Sequence, residues 1–188
     1  MSITAYLNQS AETIRAAANH VPPGTMERAI ALCVEAFGNG KPVLVCGNGG
    51  SASDAMHITG ELVGRFLKER RALNCICLSD NPATLTAWAN DYDYASVFAR
   101  QVEAYGAKGG VLIAISTSGN SANVVQAAEK AKAMGLSVIA LTGQGGGKLA
   151  AHCDLLLDAP SKSTPLIQQV HICLYHYLCE QIEARMAG

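Results

Sequence analysis

The sequence predicts an α/β sandwich with about five parallel strands, preceded by a helical extension. After residue 41, short apolar runs alternate with amphipathic helical segments. These runs lack the polar alternation of half-solvated strands, which is typical of strands buried on both faces of a parallel sheet. Hydrophobic residues make up 49% of the 188-residue chain, which is ample for one core. The length suits a single domain.

The N-terminal segment is predicted to form two helices. Ile3 and Ile14 belong to one apolar stripe at helical spacing, and Pro22-Pro23-Gly24 ends it. A second apolar stripe follows before the first strand. Because these helices do not alternate with strands, we interpret residues 1–40 as a helical oligomerisation arm. The arm belongs to a single domain that spans residues 1–188.

The remaining elements follow from the same alternation of patterns. Five apolar runs are predicted as strands: Val43–Cys46, Asn74–Leu78, Val111–Ile115, Ser137–Leu141 and Leu155–Leu157. Five amphipathic segments are predicted as helices: Ser51–Phe66, Pro82–Ala89, Ala95–Ala104, Ala122–Ala133 and Pro165–Met186. Ligands of such folds bind beyond the carboxyl ends of the strands. The loops after the strands are therefore the places to look for a site.

Charge and hydropathy exclude several functional classes. The chain has 14 Lys and Arg against 15 Asp and Glu, and no basic run stands out, so nucleic-acid binding has no support. No apolar stretch approaches the ~20 residues that span a bilayer. The N-terminus lacks the basic and apolar regions of a signal peptide. Charged residues are only 15% of the chain, which predicts that copies of it cover part of the surface in a homo-oligomer.

The seven cysteines predict a reducing compartment. Their number is odd, no C-x-x-C pair occurs, and most lie inside apolar runs. Cysteines in that setting behave as small buried hydrophobes. We therefore expect free thiols and a cytoplasmic location.

The segment Ser116–Ser121, which reads Ser-Thr-Ser-Gly-Asn-Ser, is a candidate phosphate site. It follows a predicted strand and opens a predicted helix. Its hydroxyls, its glycine and the unpaired N–H groups of a helix N-terminus together form a neutral cradle for a phosphate group. The alternative is a capped helix rich in small polar residues. The position directly after a parallel strand favours the phosphate site.

The turn Gly47–Ala52 formally matches G-x-G-x-x-A, the dinucleotide fingerprint. That fingerprint requires an acidic residue ~20 positions further on to hold the ribose. The first acidic residue that closes the next strand is Asp80, well beyond that distance. We interpret the turn as a second anion- or sugar-binding turn. A dinucleotide-dependent oxidoreductase remains as a weak alternative.

Two helical segments carry candidate metal ligands or acid/base groups. His57 and Glu61 share a helix face, so they could ligate one metal ion or flank one substrate. An exposed His–Glu pair is the alternative. The last helix adds Gln168, His171 and His176 within a mainly apolar sequence. A core histidine explains one such residue, whereas two histidines and a glutamine favour a site.

Together these motifs resemble those of sugar isomerase (SIS) domains, and more narrowly those of bacterial phosphoheptose isomerases. The resemblance covers almost the whole chain and rests on Val45–Ser51, His57-x-x-x-Glu61, Asn90-Asp91, Ile115–Ser121 and Ile167–His176. It implies a flavodoxin-like three-layer sandwich with a five-stranded parallel sheet, assembled as a homotetramer. The implied activity is an aldose–ketose isomerase that converts sedoheptulose 7-phosphate to D-glycero-D-manno-heptose 7-phosphate through an enediol(ate). That reaction is the first step towards the ADP- or GDP-heptose of lipopolysaccharide or surface glycans.

The resemblance also implies roles for individual residues. One zinc ion per subunit would be held by His57, Glu61, Gln168 and His176. Glu61 and His176 would be the catalytic acid/base pair. The residues that would contact the sugar phosphate are Asn48, Gly49, Gly50, Ser51, Glu61, Asn90, Asp91, Ser116, Thr117, Ser118, Ser121 and Gln168. Leu166 and Gln169 depart from the family pattern, which usually has a basic residue and a glutamate there, and this bears on local charge and substrate preference.

Helix geometry adds one prediction that is independent of the family. On a continuous helix, Gln168 and His176 would lie ~12 Å apart along the axis. Two ligands of one ion cannot be so far apart unless the helix starts late or long side chains converge. We therefore predict that the metal or substrate site takes residues from more than one subunit.

The main rival to an enzyme is a non-catalytic SIS module. Such a module would sense a sugar phosphate or bind a replication-initiator protein, with the same fold and the same phosphate loop. It could dispense with the acid/base pair. Because Glu61 and His176 are both present, the sequence favours the enzyme.

Overall fold

The computed structural model describes residues 1–187 and contains a parallel sheet between two layers of helices. The strands are β1 Val43–Cys46, β2 Cys75–Cys77, β3 Val111–Ser116, β4 Ser137–Thr142 and β5 Leu155–Asp158. The helices are α1 Ile3–His20, α2 Pro23–Gly38, α3 Gly50–Val63, α4 Pro82–Asp91, α5 Val97–Tyr105, α6 Ala122–Ala133 and α7 Thr164–Met186. A 3₁₀ helix, Gly147–His152, precedes β5.

The strand order is β2-β1-β3-β4-β5, and every neighbouring pair is parallel. This is the flavodoxin-like order, and it reverses between β1 and β3. There Val43 pairs with Val111 and Cys46 with Ala114. The predicted fold class, a flavodoxin-like sandwich with a helical N-terminal extension, is confirmed. The loops after β1 and β3 therefore meet at the switch point where such folds bind ligands.

The strands bury side chains on both faces of the sheet. Val45 and Ile113 pack beneath α2, α3 and α7, whereas Leu44 and Leu112 pack beneath α5 and α6. Every residue of β1 and β3 is buried, which explains why their sequences lack polar alternation.

Of the predicted helix boundaries, the end of the helix after β1 differs most from the structure. We expected the helix after β1 to extend to Phe66, but α3 ends at Val63. The backbone N–H groups of Phe66, Leu67 and Lys68 donate to the carboxylate of Glu183 on α7, at 2.8, 2.6 and 2.8 Å. A partner distant in sequence thus takes the donors that a longer helix would use internally.

The N-terminal helices leave apolar surface uncovered within one chain. Ala17 on α1 packs against Val170 on α7. Ile3 and Leu7, on the same apolar stripe, are 71% and 58% exposed. None of the helices described within residues 1–187 is long and apolar enough to cross a membrane.

The cysteines behave largely as predicted. All seven are free, and Cys33, Cys46, Cys75, Cys77 and Cys179 are buried. Burial raises the pKa of the Cys46 and Cys75 thiols to about 12, so both stay neutral. Cys173 differs from the rest because its position on α7 leaves it exposed.

Candidate functional site

The predicted phosphate loop, Ser116–Ser121, connects β3 to α6 at the carboxyl edge of the sheet. Gly119 has φ = 65°, and a Cβ atom there would lie 2.0 Å from the carbonyl oxygen of Gly146. The carbonyl of Gly119 also accepts from the N–H of Leu149, at 2.9 Å, at the start of the unpredicted 3₁₀ helix. Only glycine fits this approach. The hydroxyls of Ser116 and Ser121, at the two ends of the loop, lie 3.0 Å apart.

The N-termini of α3 and α6 both begin at this edge without a side-chain cap. Gly49, with φ = 56°, precedes α3, and Ser121 precedes α6. The first N–H groups of a helix have no intrahelical partner, so an anion can accept their hydrogen bonds. Asn48 and Asn123 exchange two amide hydrogen bonds of 2.9 Å and tie the two helix starts together. The two loops, Gly47–Ser51 and Ser116–Ser121, thus form one rigid structure, which we call the cradle.

Three polar side chains at the cradle were not singled out from the sequence. Besides Asn123, the hydroxyl of Tyr94 donates to Asn48 Oδ1 at 2.9 Å. The hydroxyl of Ser79 donates to the carbonyl of Gly47, also at 2.9 Å. Asn123 could have been found as a polar residue in the first turn of a buried helix. Tyr94 lies in an irregular segment and carries no sequence signal.

Gln168 lies at the cradle, on the first turns of α7. A Cβ atom on Gly50 would lie 2.1 Å from Gln168 Nε2, so the glutamine side chain covers the start of α3. Of the two departures from the family pattern, Leu166 is buried in the core. Gln169 turns away from the cradle and donates to the Tyr6 hydroxyl on α1, at 3.2 Å.

A second group of predicted site residues lies further along α3 and α7. His57 Nε2 is 3.0 Å from Glu61 Oε1, and His57 Nδ1 is 3.0 Å from the hydroxyl of Tyr175. The His176 ring meets the His57 ring edge-on, with centroids 5.1 Å apart. Phe66 also packs against His176, with ring centroids 5.7 Å apart. We call His57, Glu61 and His176 the imidazole cluster, and it is partly open to solvent.

The cradle and the imidazole cluster are separated within one chain. Because α7 is continuous, Gln168 lies ~12 Å from His176 along its axis, as predicted. On α3, His57 lies ~10 Å beyond Gly50. Three of the four predicted metal ligands are thus neighbours, and the fourth is remote. Within residues 1–187, no three His, Cys, Asp or Glu side chains form a ready metal site.

The imidazole cluster nevertheless has the chemistry of part of a zinc site. Imidazole nitrogen and carboxylate oxygen are both common zinc donors. Two ligands that each bind one zinc ion at ~2.1 Å are ~3–3.5 Å apart. His57 Nε2 and Glu61 Oε1 have this spacing at 3.0 Å. The residues therefore fit zinc, provided that further ligands complete the set.

Other predicted residues lie apart from both groups. Asn90 and Asp91 are exposed at the end of α4 and bond to each other at 2.9 Å. In the described part of the chain, no hydrogen bond joins them to the cradle. His171 is fully buried, with Nε2 2.9 Å from the Thr142 carbonyl, and burial lowers its pKa to about 4. It is a neutral core histidine.

Comparison with known proteins gives matches over most of the chain. A family model described as SIS domain matches residues 5–143. The phosphoheptose isomerase of Crocosphaera subtropica is 50% identical over 161 residues, which are 86% of this chain and 82% of that protein. The phosphoheptose isomerase of Rhodospirillum rubrum is 56% identical over 144 residues, 77% of each chain.

A solved structure extends the likeness to the whole fold. The phosphoheptose isomerase of Neisseria gonorrhoeae superposes with a TM-score of 0.91 at 39% identity and covers 97% of both chains. Identity of one half over most of the chain is far above the level at which only a fold is shared. The chain therefore belongs to the phosphoheptose isomerase family of SIS-domain proteins.

Proposed function

We propose that this chain is an aldose–ketose isomerase that converts sedoheptulose 7-phosphate to D-glycero-D-manno-heptose 7-phosphate. Family membership supports this substrate and places the reaction in heptose biosynthesis. One structural observation carries the proposal. Glu61 and His176, which are remote in sequence, both contact His57, in a chain that also holds a phosphate cradle.

The cradle binds the phosphate end of the sugar. Ser116, Thr117, Ser118 and Ser121 offer hydroxyls, and the uncapped starts of α3 and α6 offer N–H groups. Asn48 and Gln168 lie at the same edge, and we assign them to contact the sugar chain. Binding energy from this remote end positions the reacting carbons.

The acid/base pair moves two kinds of proton. Glu61 takes the carbon-bound proton from one of C1 and C2 and returns it to the other, through an enediol(ate). His176 moves the proton between the two neighbouring oxygens, since an imidazole can both accept and donate a proton. Donors fixed around the site stabilise the negative charge that develops on oxygen.

Zinc would be held by His57, Glu61 and His176, with Gln168 as a fourth ligand. Because a lone pair bound to zinc cannot accept a proton, Glu61 and His176 would have to change their coordination in order to act as the acid/base pair. The ion would supply positive charge that polarises the reacting oxygens of the sugar. Because Gln168 is remote from the imidazole cluster of its own chain, the glutamine would come from a neighbouring subunit. A complete site then contains the imidazole cluster of one copy and the Gln168 and cradle of another.

The uncovered surface of the N-terminal arm supports an assembly of several copies, which we propose is a homotetramer. A cavity of about 460 Å³ lies between α1, α2 and α7. Apolar side chains line it, among them Ile14, Val21, Met26 and Leu174. Together with exposed Ile3, they form apolar surface that a second copy would cover.

The rival proposal, a non-catalytic module that senses a sugar phosphate or binds a replication initiator, would need only the cradle. The imidazole cluster would then have no task, although it leaves a histidine and a glutamate partly exposed at close range. About 50% identity to phosphoheptose isomerases also favours the enzyme. The seven free thiols support a reducing, cytoplasmic location.

The test is turnover of sedoheptulose 7-phosphate in D₂O, followed by NMR for the heptose product and for deuterium at C2. We expect product with solvent deuterium at C2 from the wild type. Glu69→Gln, at an exposed residue on the loop after α3, should behave as the wild type. No turnover by a folded, zinc-loaded oligomer that still binds the substrate would favour the sensor.

A further inference from the structure

A hydrogen-bonded chain of four side chains runs from the protein interior to the imidazole cluster. Asp54 is only 7% exposed, and its Oδ1 accepts from the Tyr175 hydroxyl at 3.4 Å. The same hydroxyl is 3.0 Å from His57 Nδ1, and His57 Nε2 is 3.0 Å from Glu61 Oε1. The isomerase chemistry above uses Glu61 and His57 but assigns no task to Asp54 or Tyr175.

Asp54 is energetically unfavourable at this buried position. Asp54, His57 and Glu61 lie on one face of α3, towards α7, and Tyr175 on α7 is 1% exposed. Burial raises the pKa of Asp54, and the Tyr175 hydroxyl opposes that rise by donating to it. Asp54 Oδ2 has no hydrogen-bond partner in the described chain. A buried carboxylate costs free energy unless it is paired, so packing alone does not explain it.

The hydroxyl proton of Tyr175 decides the protonation of His57. The Tyr175 hydroxyl carries a single proton. Tyr175 donates that proton to Asp54, and it can then only accept from His57. His57 must therefore carry its hydrogen on Nδ1. In a neutral imidazole, this leaves a lone pair on Nε2.

That lone pair points at another electron-rich atom. Glu61 Oε1 lies 3.0 Å from His57 Nε2. A positively charged His57 would place a hydrogen between these atoms, but a neutral ring with its hydrogen on Nδ1 does not. Two lone pairs at this distance repel each other unless a positive charge stands between them. The arrangement is unfavourable for an isolated pair and favourable for two ligands of one cation.

We propose that Asp54 and Tyr175 are positioning residues that hold His57 as its Nδ1–H tautomer and so direct Nε2, beside Glu61, at a divalent metal ion. The proposal rests on the zinc assignment made above. Outer partners of this kind fix the orientation of metal-binding histidines, and their loss typically lowers metal affinity 10–100-fold.

The first measurement needs no metal. Long-range ¹H–¹⁵N NMR of the metal-free protein at about pH 8.5, above the usual range of imidazole titration, reports the tautomer of His57. We expect Nδ1–H in the wild type. Tyr175→Phe removes the acceptor for that hydrogen, so Nε2–H, donating to Glu61, should become the main form. Tyr177→Phe on the same helix removes an exposed hydroxyl and should leave His57 unchanged.

The second measurement is zinc affinity by competition with a chelator. Tyr175→Phe should weaken binding ~10–100-fold, and Tyr177→Phe should not change it. Asp54→Asn keeps an acceptor for the Tyr175 hydroxyl but removes the charge, so its loss should be smaller than that of Tyr175→Phe. Thermal melts of the metal-free variants would separate a folding defect from lost orientation.

The two assignments fail in different ways. Nε2–H in the wild type, or a Tyr175→Phe variant that matches Tyr177→Phe in both tautomer and affinity, would overturn the positioning role. If the wild type shows Nδ1–H but binds no zinc, the metal proposed above is wrong. That result would also overturn the metal-directing part of this inference, while supporting the orientation of His57.

Discussion

The cradle and the imidazole cluster are built in different ways. The cradle consists of backbone turns at the carboxyl edge of the sheet, fixed by close contacts such as that of Gly119 with Gly146. The imidazole cluster consists of long side chains on the surfaces of α3 and α7, and His57 is 46% exposed at its side chain. The cradle is complete within one chain. The imidazole cluster holds three of four proposed ligands and faces solvent.

This difference separates binding from chemistry. A phosphate group needs only fixed N–H and hydroxyl donors, which local backbone geometry supplies. Proton transfer at carbon needs a carboxylate and an imidazole at close range, which only tertiary packing can supply. If the two regions are independent devices, substitutions in one should leave the task of the other intact.

The largest effect should follow from removing the carbon base. Glu61→Gln keeps the shape of the side chain but cannot accept a proton from carbon. We expect kcat to fall ~10²–10⁴-fold, since that is the usual contribution of general acid–base catalysis. KM should change little because the cradle is intact. A Glu61→Gln enzyme with kcat within a factor of ~3 of the wild type would contradict the assigned role.

The next largest effect should come from Glu183, whose loss should lower the free energy of unfolding. Glu183 is 1% exposed and accepts three backbone N–H bonds at the end of α3, beside buried Arg70. Glu183→Ala leaves Arg70 buried without its carboxylate, so unfolding free energy should fall by ~3–5 kcal/mol in urea titrations. Glu103→Ala, which breaks an exposed ion pair, should cost at most ~1 kcal/mol. Equal losses would contradict this account.

The pKa of Glu183 predicts that the folded protein loses stability in acid. Burial alone would raise the pKa of Glu183, but the N–H groups of Leu67, Phe66 and Lys68, with Arg70, hold it below the usual value. A lowered pKa contributes stability above the unfolded-state value of ~4.3, and this contribution is lost as pH falls through the folded-state value. Unfolding titrations should show this loss in the wild type and not in Glu183→Ala.

His171, below the cradle, should give a smaller effect at higher pH. Burial lowers its pKa to about 4, against an ordinary ~6.5, because the charged ring cannot be hydrated. As pH falls from 6.5 towards 4, His171 becomes protonated in the unfolded chain but stays neutral in the folded chain. Stability should therefore drop by up to ~3 kcal/mol across that window. Urea titrations of His171→Gln should lose this slope, and an unchanged slope would contradict the assignment.

The cradle itself is tested by its tightest glycine. In Gly119→Ala, the new Cβ would meet Gly146 at 2.0 Å with φ = 65°, so the loop must move. A displacement of this kind should lower kcat/KM by ~10²-fold, mainly through KM, with zinc affinity unchanged. Gly24→Ala, in open space on α2, should be neutral. Loss of zinc together with substrate affinity would mean that the two regions are not independent.

The cradle could be predicted from sequence because its determinants are contiguous. Ser116–Ser121 and Gly47–Ala52 each show a strand, a turn and a helix start within a few residues. The parallel strands beneath them could also be predicted, from the buried apolar runs. Their link through Asn48 and Asn123 could not be predicted, because it depends on which strands become neighbours.

Only part of the imidazole cluster could be predicted from the sequence. Helical spacing alone brought His57 and Glu61 together. His176 was singled out on the last helix, but only the family resemblance joined it to Glu61. Tyr175 and Asp54 carried no signal, because a buried tyrosine and a lone aspartate look like ordinary helix residues until the helices pack. The predicted end of α3 was wrong for the same reason. The Glu183 carboxylate, on the distant helix α7, accepts hydrogen bonds from the backbone N–H groups that follow α3.

The central claim is that a complete site joins the imidazole cluster of one copy to the Gln168 of another. The direct test mixes two inactive variants after confirmed subunit exchange. Glu61→Ala with Gln168→Ala should regain about one quarter of the wild-type activity, because some sites then receive both intact residues. Glu61→Ala with His176→Ala should regain none, since one chain supplies both. Recovery by the second pair, or none by the first, would contradict this account.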